Sequence, residues 1–422
     1  MPQELSENGK VIALLCARLG NDIFQPLTPG EYSKIVEWLI SKKLQPADLL
    51  SLKEYPELSA ATGIISDRLQ FLLGRGFQLG VMLDNWHQAG ISIITRSDAG
   101  YPSRFKKHLH KSAPPLLYYV GNLSLAEYGG VAVVGSRSVD DAASEYAKTI
   151  AEKCAEEKKY VISGGAKGVD QISVASSLNS GGRAVCVVAD SLFQKCLQPD
   201  TRQAVCSERL LLLSPYSPDV SFNVGNAMGR NKLIYALADF AIVVNCEYNK
   251  GGSWSGAVEE LRHSDGIPVF VRDEDGIPEG NKKLMEKGAV SLSSWDKKSP
   301  LFETLTFLAN ENKKEPSQTD LFNVPKNNSV IENEQSRPDV SKNQDEEIVS
   351  KKTALISLDT GKTTEVKKDT VDNTETPFSL SSAPEEPVKR KSKSSKNAKK
   401  KKSKKEEMSD SSSEQGSFSF DR

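Results

Sequence analysis

The chain has 422 residues, and its 55 Lys and Arg stand against 56 Asp and Glu for a formal net charge of −1. That balance hides internal polarity and by itself identifies no partner. No apolar run approaches the ~20 residues that a membrane helix requires, and no signal peptide is legible, so no membrane role is expected. The 6 cysteines form no CxxC pair. Cys154, Cys186 and Cys246 lie in apolar patterns, as small buried hydrophobes do, and a reducing cytoplasm is the expected location.

From residue 10 to about residue 89 the pattern is helical. Ile12, Leu14, Leu15 and Leu19 are followed by Tyr32, Ile35, Val36, Leu39 and Ile40, with further helices expected near residues 49–53, 64–73 and 79–86. The stretch Thr62-Gly-Ile-Ile-Ser-Asp-Arg-Leu resembles a helix-hairpin-helix, an element that grips DNA backbone; a helical packing domain is the competing reading. Residues 91–96 read as a strand, and the Pro-containing stretch up to Asn122 as a connector.

Residues 131–134 form a short apolar run, the length of a strand buried on both faces. It ends at Gly135-Ser136-Arg137, and Asp140 and Asp141 stand where a helix N-cap belongs. Ala143, Tyr146, Ala147, Ile150, Ala151 and Cys154 then recur at helical spacing. The theme returns three times. Residues 160–163 end in Ser163-Gly-Gly-Ala-Lys-Gly-Val-Asp170, residues 209–213 precede the loop to Gly229-Arg-Asn-Lys232, and residues 241–245 precede Gly251-Gly-Ser253. Residues 183–189 and 268–271 supply further strands. Alternating strands and helices predict an α/β fold, a Rossmann-like parallel sheet with helices on both faces. Ligands of such sheets lie outside the strands' C-terminal ends, where helix N-termini favour anions.

Several chemistries are disfavoured. The first turn lacks GxGxxG, and Arg137 stands where a dinucleotide pyrophosphate would approach. No P-loop, HExxH or nucleophile elbow is present. The 4 histidines are scattered, and His263 reads as a surface helix residue. No cofactor, metal or catalytic residue is expected.

Taken together, Tyr101-Pro102, Pro114 to Leu117, Gly121-Asn122, residues 131–137, 163–170, 229–232 and 251–257 resemble the DNA-processing protein A family, also called DprA or Smf. The resemblance implies a bacterial cytoplasmic protein that binds single-stranded DNA, acts as a homodimer and loads a RecA-type recombinase in recombination, repair or transformation. It makes Gly135, Ser136, Arg137, Ser163, Gly164, Gly165, Lys167, Gly168, Arg230, Asn231, Lys232, Gly251, Gly252 and Ser253 the phosphate-binding set. Arg137, Lys167, Arg230 and Lys232 are its cations, and main-chain N–H groups of Gly135, Ser136, Gly164, Gly165 and Gly252 are its other donors. The family's His in the second motif has no counterpart, because Ser173-Val174 stand there. Its winged-helix-like C-terminal module gives way to the tail.

On this reading residues 1–95 form a helical domain of the SAM or helix-hairpin-helix kind, 96–130 a connector and 131–305 the DprA-like Rossmann domain. Residues 306–422, rich in Lys, Glu, Ser, Asn, Asp and Thr, form a disordered tail. There Gln318-Thr-Asp-Leu-Phe322 resembles the peptide that docks on the polymerase sliding clamp, with Leu321 and Phe322 filling an apolar pocket and Gln318 bonding at its edge. The Lys-rich run 389–405 can neutralise phosphates without base selectivity. A second resemblance stays open. Residues 251–259 are similar to the glycine loop of LOG proteins, which cleave nucleotide–base bonds. That makes a nucleotide-binding or phosphoribohydrolase-type enzyme, or a nucleotide sensor, the alternative, with Glu259 or Glu260 as its acid.

Overall fold

The computed structural model describes residues 5–20, 23–52 and 55–312. The tail with its Gln318, Leu321 and Phe322 peptide and the 389–405 run lies outside the described residues. The chain opens with α1 (Glu7–Cys16), α2 (Pro29–Lys42), α3 (Pro56–Thr62), α4 (Ser66–Leu73) and α5 (Gly76–Gln88). Their apolar faces meet in a core of their own around Val11, Ile12, Leu15, Ile35, Leu49, Leu58 and Leu69. Arg75 is buried among them, donating to the carbonyls of Leu14, Ala17 and Leu72. Arg68 is committed to both Glu31 oxygens and to the carbonyls of Gln25 and Pro26. The 62–69 hairpin therefore spends that cation on packing.

A nine-stranded sheet follows, with strands β1 (Ser92–Thr95), β2 (Leu116–Val120), β3 (Val131–Val134), β4 (Tyr160–Ser163), β5 (Arg183–Val187), β6 (Leu210–Ser214), β7 (Phe240–Val243), β8 (Val269–Val271) and β9 (Val290–Ser291). The spatial order is β1-β2-β6-β5-β4-β3-β7-β8-β9. Every pair from β6 to β9 is parallel. β1 and β2 extend the sheet antiparallel, so the 96–130 stretch, expected as a connector, contributes a strand. Trp86 of α5 meets Tyr118 of β2 edge to face at 5.0 Å, tying the helical segment to that end.

The remaining α-helices are α6 (Ser103–Leu109), α7 (Asp141–Glu156), α8 (Val169–Asn179), α9 (Leu192–Cys196), α10 (Pro199–Cys206), α11 (Val224–Leu237), α12 (Gly251–Arg262), α13 (Glu279–Met285) and α14 (Leu301–Asn312). The last runs past the boundary expected at residue 305. Tyr146, Ile150, Val174 and Leu178 of α7 and α8 cover one face of the sheet. Leu233, Ile234, Trp254 and Ala257 of α11 and α12 cover the other. All four residues of β3 are buried, each such side chain contributing about 1.5–3 kcal/mol for the larger apolar types. The order in which strands are added reverses at β3, with β4 on one side and β7 on the other. That is the switch point beside which α/β sheets hold ligands. Among the described residues no helix is long and apolar enough to cross a membrane.

Candidate functional site

At the C-terminal ends of β3, β4, β5 and β7 the turns converge. Asp140 caps α7 by accepting the Ala143 amide at 2.7 Å, which fixes the first turn. Gly168, at φ +90°, lets the second turn lie on the first. A Cβ there would come within 2.4 Å of the Ser136 carbonyl oxygen and 2.8 Å of the Arg137 Cα. Ser253 of α12 donates to the Gly135 carbonyl at 2.6 Å, and Asn231 of α11 donates to the Gly252 carbonyl at 2.9 Å. Four separate segments are thus stitched into one rim.

Between them lies a cleft of two adjoining lobes, about 440 and 430 Å³. Arg137, Ala166, Phe222, Ala227 and Arg230 line both. Gly164, Gly165 and Lys167 belong to the first lobe with Lys195, which pairs with Asp190 at 3.3 Å. Gly135, Ser136, Asn231, Gly251, Gly252 and Ser253 belong to the second, with Lys250 paired to Glu247 at 2.6 Å. Arg137 is exposed at the mouth, its guanidinium 4.5 Å from the Phe222 ring centre. Lys167 is exposed as well.

Arg230 forms the floor. It is only 4% exposed, and its guanidinium lies where a side chain on residue 164 would be, so Gly164 is the residue that makes room for it. Its Nε and Nη1 have no hydrogen-bond partner, and the nearest acid, Asp170, stands at 3.9 Å. Burial raises the Asp170 carboxyl above its usual range, against Arg230 and the Ala166 and Gly164 amides, which favour the charged form. A buried guanidinium without hydrogen bonds is costly. An anion entering the cleft would relieve it.

The structure corrects parts of the sequence-derived set. Ser163, the last residue of β4, is buried and donates to the Val133 carbonyl of the neighbouring strand at 2.7 Å. The Ser136 amide is not a free donor: it is taken by the Asn245 side chain at 2.8 Å and main chain at 3.1 Å. The Gly164 amide serves Asp170. Gly168 packs turn on turn rather than lining the cleft. Lys232 lies on the other face of α11, in a separate pocket. Glu259 is exposed and lines neither lobe; Glu260 is buried, accepting the Ile267 amide at 2.8 Å with His108 at 3.3 Å. Among the described residues, no group of three or more His, Cys, Asp or Glu is placed to hold a metal. Sequence reasoning passed over Phe222, Asn245 and Asp170; only Asp170 carried a signal, its place at the end of the second motif.

The family model for DNA recombination-mediator protein A matches residues 92–302, half of the chain and every turn just described. The chain belongs to that family. The DNA processing protein DprA of Streptococcus pneumoniae is 30% identical over 185 residues, which are 43% of this chain and 64% of the relative. The protein Smf of Synechocystis is 28% identical over 217 residues, 50% of this chain and 52% of the relative. The chain thus spans about half to two thirds of these relatives' length. The solved structure of the Streptococcus pneumoniae DNA processing protein A superposes with a TM-score of 0.53 at 22% identity, covering 69% of this chain and 96% of that one. It shares the fold of this DprA-family chain.

Proposed function

We propose that the cleft binds single-stranded DNA, holding backbone phosphates without breaking a bond, and that the chain delivers the strand to a RecA-type recombinase. Arg230 carries the reading. It is a buried cation whose Nε and Nη1 have no hydrogen-bond partner, at the junction of both lobes, with Arg137 and Lys167 lining the cleft beside it. Charge-assisted hydrogen bonds to phosphate each contribute about 1.5–3 kcal/mol. The Phe222 ring at the mouth offers a base a sequence-tolerant stacking surface. No nucleophile or acid–base pair is required for this role. Delivery to a recombinase, assembly as a homodimer, a cytoplasmic setting and docking of the 318–322 peptide on a sliding clamp belong to the same proposal. Their support is the family resemblance and, for the peptide, its own residues.

The test is fluorescence anisotropy of labelled oligo-dT with the Arg137→Glu/Lys167→Glu variant. Loss of two contacts at about 1.5 kcal/mol each predicts at least ~100-fold weaker retention, with an unchanged circular dichroism melt. Wild-type affinity in the folded double variant overturns the reading.

A further inference from the structure

Arg230 and Lys232 are two residues apart on α11. Side chains two positions apart do not share a helix face, and the structure separates them accordingly. Arg230 looks into the cleft, and Lys232 lines a pocket of about 330 Å³ behind the same helix. The walls of that pocket are apolar, built by Pro26, Pro29, Pro115 and Pro215 with the rings of Tyr118 and Tyr216. Arg18 comes from the end of α1, and neither it nor Lys232 makes an ion pair or hydrogen bond among the described residues. The acid beside this pocket, Asp219, is engaged by the Ser217 hydroxyl at 2.5 Å.

The start of α11 links the two cavities. Phe222, Val224 and Met228 border the cleft and are exposed. Val220, Asn226 and Gly229, interleaved with them in sequence, line the pocket behind. The Tyr216 hydroxyl donates to the Asn226 carbonyl at 3.1 Å, so the loop before α11 is fixed to its first turn. The stretch 220–229 thus borders both cavities, and the second is an apolar slot flanked by two cations that have no ion-pair partner among the described residues. Single-stranded nucleic acid is held by that chemistry: positive charge for the backbone and ring faces for the bases, with no need for base-edge readout.

We infer that a strand leaving the cleft crosses the first turn of α11 and seats a second nucleotide in this pocket. The base packs on the proline and tyrosine walls, and the adjoining phosphates meet Lys232 and Arg18. The inference rests on the DNA reading of the cleft and extends it to a longer footprint. It returns Lys232 to the DNA-binding surface at a different subsite from the one its motif suggested.

Strand length separates the two claims. Anisotropy is measured with a six-nucleotide and a twenty-nucleotide oligo-dT on the full chain, for wild type, Arg18→Gln/Lys232→Gln, Gly229→Leu and Arg137→Glu. Gly229→Leu should bind the long strand about tenfold and the double variant about 100-fold more weakly, and both should bind the short one as wild type does. Gly229→Leu plugs the slot, since a Cβ there already meets the Tyr216 hydroxyl at 2.9 Å. The double variant should also lower the magnitude of the salt-dependence slope for the long strand by about 1.4, or roughly 0.7 per lost phosphate contact, which a merely structural change would not do. Arg137→Glu should weaken both strands. Equal long-strand affinity in wild type and the double variant, or an equal loss on both lengths, overturns the second subsite while leaving the cleft in place. Failure of wild type to bind either strand overturns the reading beneath it and this inference together.

Discussion

Two of the three buried arginines among the described residues set two regions of the molecule apart. Arg75, 2% exposed, sits among the N-terminal helices and donates to the carbonyls of Leu14, Ala17 and Leu72. Arg230, 4% exposed, sits under the cleft with Nε and Nη1 unpartnered and an acid no nearer than 3.9 Å. Burial is nearly the same; satisfaction is not. The first guanidinium closes off helix carbonyls that would otherwise lack donors, which is a packing role. The second retains donors that folding leaves unused, so a ligand can claim them. Degree of burial therefore does not separate these two arginines, whereas their hydrogen bonds do.

The contrast can be broken by experiment. Arg75→Met strands three buried carbonyls and should cost roughly 3–9 kcal/mol, at about 1–3 kcal/mol for each. Chemical denaturation would read that loss, while the surviving folded fraction keeps wild-type affinity for oligo-dT. Arg230→Met combined with Asp170→Asn removes both charges of the loose pair. It should weaken oligo-dT binding by about 10- to 100-fold, equivalent to roughly 1.5–3 kcal/mol, with a smaller change in the denaturation midpoint than Arg75→Met gives. If the two variants show the same pattern, the distinction fails.

A pH series sharpens it. Burial holds the Asp170 carboxyl above its ordinary range, so the folded protein accepts the charged form less readily than the unfolded chain. Its contribution to stability is then greatest below the unfolded carboxylate value, near pH 4. It declines as pH rises toward the native value and is level above that. Asp170→Asn should remove this decline, visible as a flatter melting temperature as pH rises above about 4. The smallest effect belongs to the rim. Asp140→Ala deletes the cap that accepts the Ala143 amide and should cost about 1 kcal/mol, seen as a lower melting temperature with little change in affinity.

Much of the rim was legible because period and punctuation agreed. A fully buried four-residue strand, a turn of small residues and an N-cap Asp before a 3.6-residue repeat admit few arrangements, and Gly135, Arg137, Gly165 and Lys167 lie accordingly. Lys232 was read by motif, although its spacing from Arg230 on a helix already set the two on different faces. Ser163 was counted with the turn that follows it, but it is the last residue of β4 and takes that strand's orientation. The donors claimed by Asn245 and Asp170 were not legible, since partners 109 residues apart or across a turn are fixed only by the fold. β2 was missed because Pro114-Pro115 signals a break. Its pairing with β1 and β6 is long-range, and no local pattern encodes it.

That pairing has a practical consequence. β1 covers β2 through four residue pairs, from Ser92 with Tyr119 to Thr95 with Leu116. A fragment beginning at residue 96 would lose this cover and present the row Leu-Leu-Tyr-Tyr-Val as an unpaired margin, rich in the residues that nucleate intermolecular sheets. Such a fragment should self-associate as it is made. The Rossmann half of this chain is best isolated with the residues before it attached.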